Sequence, residues 1–192
     1  MGEIAISGPK YTDCASVKYE DVFNMKELYK ATRDWLIANE YTTAKGSEKM
    51  EKFYLEKHTP NGARELWIWW RNARSPHESK YFKYHMNVDY HVLNMKDVEI
   101  MHQGQKLKAN KGEVEVIINC WLETEAEFEV KKSIFAFIAE RFNKRIYKKQ
   151  IEEHKRDIKE DLDKLQNFIK QFLELKSFLQ KTEIFYPARG LG

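Results

Sequence analysis

Cysteine is nearly missing: Cys14 and Cys120 are the only two in 192 residues. Two thiols make no disulfide framework, so a reducing compartment, the cytoplasm, is expected. Glycine (8) and proline (4) are scarce as well, which excludes collagen-like and low-complexity chains. No apolar run approaches the roughly 20 residues that span a bilayer, and residues 1–10 lack the basic start and apolar middle of a signal peptide. No membrane association is expected. Catalytic signatures are missing too. Gly62, Gly104 and Gly112 are isolated turn glycines rather than parts of a P-loop, a nucleophile elbow or a dinucleotide-binding turn. Cys120 lies in a β-branched run with no glycine or helix start after it to activate a thiolate. The reading is therefore a chain without a catalytic residue, a metal or a cofactor, and more a binding protein than an enzyme.

What is present is apolar and aromatic matter, 42% and 14% of the chain, enough for a core that needs no metal or disulfide staple. The net charge of +3 conceals an uneven distribution. Residues 1–130 carry 18 basic and 21 acidic side chains, whereas residues 131–149 carry seven basic ones against Glu140 alone. Within that run Arg141, Lys144, Arg145, Lys148 and Lys149 are candidates for contact with phosphate or an acidic partner, and RNA or a ribonucleoprotein is a possible ligand. The competing reading is a solvated helix face beside an acidic body.

Local patterns predict an α+β fold. Residues 1–20 read as an edge strand or a tail. Asn24 with Glu27 three residues on is a helix-start signature, followed by Met25, Leu28, Ala31, Thr32, Trp35 and Leu36 at helical spacing. From Glu51 the period becomes two. Phe53–Lys57 and Arg64–Arg71 flank Thr59-Pro60-Asn61-Gly62, a hairpin turn. Tyr81–Val92 is a strand, Asn94–Asp97 a turn, Val98–His102 a short strand, Gly104–Gly112 a loop and Val114–Glu123 a last strand. These make an antiparallel meander of about five strands, packed by the N-terminal helix. Ser133–Lys181 then holds neither glycine nor proline and reads as one long helix, with a kink expected near Lys148–Glu153 where the apolar stripe changes phase. The expected organisation is a sheet domain over residues 1–130, a helical segment over 131–181 and a tail over 182–192. That segment would pack on the sheet, on a second subunit, or on both.

Two constellations follow from these patterns. Alternation along Tyr81–Val92 puts Phe82, Tyr84, Met86, Val88, Tyr90 and Val92 on one face and His85, Asp89 and His91 on the other. With Trp67, Trp69 and Trp121 from neighbouring strands, the second face is a candidate ligand or partner surface. Plain core is the competing reading. An imidazole–carboxylate set at this spacing could also share a metal, but a hydrogen-bonded polar patch is the expectation. The second constellation is the heptad-like seam of the long helix. A helix outrunning a sheet of short strands would expose Leu162, Leu165, Phe168, Ile169 and Phe172 together, which predicts self-association, with a dimer favoured.

The order helix, antiparallel meander, long C-terminal helix is similar in layout to the helix-grip fold of START-like lipid- and polyketide-binding proteins. There, such a helix lies across a curved sheet over an apolar cavity. The likeness is one of element order and carries no residue. It implies a small-molecule binder or hydrolase, whose pocket Trp67, Trp69, His85, Asp89 and His91 would line. Three functions are thus open: a self-associating, non-enzymatic scaffold, an RNA-associated protein, and a helix-grip binder.

Overall fold

The computed structural model describes residues 4–42, 50–76, 82–102, 105–128 and 134–180. The chain runs β1 (Ile4–Phe23), α1 (Met25–Ala38), β2 (Glu51–His58), β3 (Arg64–Arg74), β4 (Phe82–His102), β5 (Gln105–Phe128) and α2 (Ile134–Gln180). All strand pairs are antiparallel, in one five-stranded sheet of order β1-β5-β4-β3-β2. This is the expected α+β class, with the N-terminal segment returned to the edge beside β5. No described helix is long and apolar enough to cross a membrane.

Local chemistry explains the element boundaries. Asn24 Oδ1 accepts the Glu27 N–H at 3.1 Å and so caps the first turn of α1. The β2–β3 hairpin closes with the Thr59 N–H donating to Ala63 O at 2.8 Å and the Gly62 N–H to Thr59 O at 3.0 Å. Gly62 sits at φ +73°, where a side chain would be strained.

The five strands are not the five read from the sequence. Val98–His102 is the far end of β4, and Gln105–Gly112 is strand rather than loop, because β5 runs through Gly112; Gly104 lies outside the described residues. Asn94–Asp97 is a bulge rather than a turn: the register with β5 shifts between Leu93 and Lys96, and Asn94 takes φ 52°. Gly112 lies opposite, where a Cβ would come within 2.8 Å of Leu93 O. Asn and Gly serve a bulge as readily as a turn, so the local pattern is the same for both. The fifth strand is β1.

The inner face of the sheet is the core. Tyr84, Met86, Val88, Tyr90 and Val92 of β4, with Val114, Val116, Ile118, Cys120 and Leu122 of β5, are buried. Helix α1 buries Leu28, Thr32 and Leu36, and its Tyr29 meets Trp70 of β3 edge to face at 4.7 Å. Helix α2 lies against β1, β5 and β4. Its residues Ile158, Leu162, Leu165, Ile169 and Leu173, spaced at three and four, are 2% exposed or less. Trp35 and Phe168 join the two helices, with ring centroids 6.5 Å apart.

One expectation for the C-terminal third is corrected. Helix α2 is continuous over 47 residues, unbroken through Lys148–Glu153, and the stretch expected to project free of the sheet instead packs on it, with Ile158, Leu162, Leu165, Ile169 and Leu173 buried. The tail over 182–192 lies outside the described residues.

Candidate functional site

Once the even residues of β4 are buried, the odd ones must stand on the opposite face. Both described helices pack on the inner side. Among the described residues no helix packs on the outer side, whose side chains are arranged by register. Trp67 is opposite His91, and Trp69 lies between Phe53 of β2 and Asp89 of β4. Asp89 is opposite Ile117, Asn87 opposite Asn119, and His85 opposite Trp121. The structure therefore brings together all six face residues expected from the sequence, in two groups. Trp67, Trp69, Asp89 and His91 form one, and His85 and Trp121 the other. Arg71 shares the parity of Trp67 and Trp69 and joins the first group, and so do Phe53 and Leu55, which the sequence reading did not place on this face.

The aromatic rings engage one another. Trp67 stacks on His91 at 5.1 Å, Phe53 on Trp69 at 4.3 Å, and His85 on Trp121 at 4.6 Å with planes 2° apart. The Arg71 guanidinium lies over the Trp69 ring, 5.7 Å from its centroid. Each of these rings thus spends one face on a neighbour across the strands. Several polar groups are likewise paired within the face. Arg71 pairs with Asp89, the His85 Nε2–H donates to Glu123, and Lys18 lies 2.7 Å from Glu113. Even so, Trp69 remains 42% and Leu55 46% exposed.

His85, Asp89 and His91 do not converge. His85 and His91 are six residues apart on one strand, roughly 20 Å at 3.3 Å per residue. Among the described residues no group of three or more His, Cys, Asp and Glu is placed to hold a metal ion.

Residues expected on α2 are placed differently from the sequence reading. Leu162, Leu165 and Ile169 face the sheet of their own chain, and Phe168 and Phe172 pack beside them, partly buried. That seam is core, not a free surface, because the long strands give it a sheet to cover. Of the basic run, Lys148 and Lys149 are exposed, with Lys149 3.7 Å from Glu153. The side chains of Arg141, Lys144 and Arg145 lie outside the described residues.

A polar cluster under α2 had no sequence signal. The Tyr41 hydroxyl donates to Asp161 Oδ2 at 2.8 Å, and Arg74 approaches the same oxygen at 3.3 Å. The Arg74 guanidinium lies over the rings of Tyr41 and Tyr84, 5.3 Å from each, and the Tyr84 hydroxyl is hydrogen-bonded to His154 Nδ1 at 2.7 Å. Burial, reinforced by Asp161 and Asp157 respectively, holds the Tyr41 and Tyr84 hydroxyls well above the ordinary tyrosine range, so both stay protonated donors. Residues from α2, β3, β4 and the segment after α1 meet here, which makes the cluster a clasp for α2.

The two thiols differ in the same way. Cys14 is exposed on the outer face, while burial pushes the Cys120 thiol up to about 12. One thiol per chain is expected to react with Ellman's reagent in dilute native protein at pH 8, and a second only on unfolding. Two fast-reacting thiols in the native state would contradict this placement.

No family model, curated protein or solved structure matches the chain.

Proposed function

We propose that this protein is a non-enzymatic interaction module that binds a folded protein surface through the outer face of its sheet. One observation carries the reading: Trp69 is 42% and Leu55 46% exposed on a face whose rings, Trp69 included, are held in place by cross-strand stacking. Tryptophan and arginine are the residues most enriched at binding hot spots. Cross-strand stacking also fixes their rotamers before a partner arrives, which lowers the entropy cost of binding. Nucleic-acid binding fits this face less well, because Arg71 and Lys18 are already matched by carboxylates and each stacked ring already has a neighbour on one face.

Hydroxyl-radical footprinting tests the proposal. Trp69 oxidation would be compared between cells expressing the chain and the purified chain at high dilution. Protection inside the cell, lost on dilution, is the expected result. Equal oxidation in both would overturn the reading.

A further inference from the structure

We propose that the open edge of β2 pairs with β2 of a second copy of this chain, antiparallel about a two-fold axis through Tyr54. Two five-stranded sheets then join into one. The proposal is independent of the face reading above, since it uses the rim of the sheet and its backbone hydrogen bonds. β1 and β2 are the end strands, and an exposed end strand is a template for a further one. On β1, helix α2 already reaches the backbone, where Gln166 donates to Ser16 O at 3.0 Å. On β2, among the described residues, β3 is the one neighbouring strand, and Tyr54 and Leu55 stand exposed.

The register names the partner. The Thr59 N–H crosses the hairpin to Ala63 O. By alternation Leu55 and Lys57 turn their backbone groups to β3, and Tyr54 and Glu56 turn theirs to the open edge. An axis through Tyr54 therefore lets the two Tyr54 residues exchange both N–H···O=C bonds. It also sets Phe53 opposite the partner's Leu55 and Lys52 opposite the partner's Glu56, each pair twice. Aromatic–aliphatic and opposite-charge pairs across strands both stabilise. Other registers lose this match. An axis through Leu55 would oppose Lys52 to His58 and Phe53 to Lys57; one through Glu56 would oppose two glutamates, and one through Lys52 two lysines. Glu56 is held at the edge by the Tyr54 hydroxyl, which donates to its Oε2 at 3.0 Å, and by Arg64, 3.4 Å from its Oε1. The register with β3 shifts between Glu51 and Phe53, so the regular stretch is short and Lys52 makes its contact by side-chain reach.

Sedimentation velocity of the purified chain over a dilution series, beside three variants, tests this. The wild type should dimerise reversibly. Tyr54→Pro deletes an N–H that points away from β3, so a folded monomer with unchanged far-UV circular dichroism is expected. Lys52→Glu and Glu56→Lys each set like charges opposite one another twice, and each should weaken dimerisation about tenfold or more. An equimolar mixture of these two should recover the wild-type affinity, because the two new charges meet each other and the native pair survives across the axis. A wild type monomeric at hundreds of micromolar would overturn the proposal, as would a dimer that persists in folded Tyr54→Pro. A mixture no tighter than its components would overturn the register, and these charge variants decide alone should Tyr54→Pro fail to fold. A monomeric purified chain whose Trp69 is still protected in cells would sink the edge pairing and leave the face reading standing.

Discussion

Leu165→Ala is expected to cost about 3–4 kcal/mol of folding stability, the largest single effect among conservative core substitutions on α2. Leu165 is fully buried, in a row with Leu162 and Ile169 against the sheet. Removing three carbons there loses their transfer free energy and leaves a cavity. Leu162 and Ile169 flank it on the same helix and cannot both move in without lifting α2. Urea unfolding monitored by circular dichroism measures the loss. An interface role alone would predict something else: a folded monomer of unchanged stability once dilute. A change below about 1 kcal/mol at micromolar concentration would show that α2 does not pack on its own sheet.

Asp161→Ala should be nearly as damaging, at about 3 kcal/mol. Asp161 is the shared acceptor of the Tyr41 hydroxyl and of Arg74. Without it, a guanidinium wedged against two tyrosine rings keeps, among the described residues, the Asn39 carbonyl 3.3 Å away. The cost is thus mostly that of stranding partners rather than of losing attraction. Asp161→Asn keeps an acceptor for Tyr41 and should lose about half as much. Because Arg74 and Asp161 act as one unit, Arg74→Met combined with Asp161→Ala should destabilise by clearly less than the two single changes added together. Strict additivity in that double-mutant cycle would show that the ion pair contributes nothing.

Much of the fold was legible because its determinants are local. The alternation from Phe82 to Val92 settles which β4 side chains share a face before any partner strand is known. Asn24 with Glu27, and Asn61 with Gly62, mark a helix start and a hairpin by backbone chemistry confined to four residues. Parity also collected Trp67, Trp69, His85, Asp89, His91 and Trp121 onto one surface. What parity could not show is strand length, since the Asn94 bulge and Gly112 look like a turn and a loop until their cross-strand partners are in place. The short strands read from the sequence left the seam of α2 without a surface to cover, and self-association through that seam followed from them.

The sequence by itself therefore determined the elements, their inward and outward faces, and the apolar stripe of α2. Each depends on side chains a few positions apart. Only the tertiary structure decided what each face meets: α1 and α2 side by side on the inner face, and self-packed aromatic rings on the outer one. The clasp shows why. Tyr41 and Asp161 are 120 positions apart, and no local periodicity relates them. Their hydrogen bond exists because the register of four antiparallel pairings and the burial of one helical stripe bring both to the same end of the sheet.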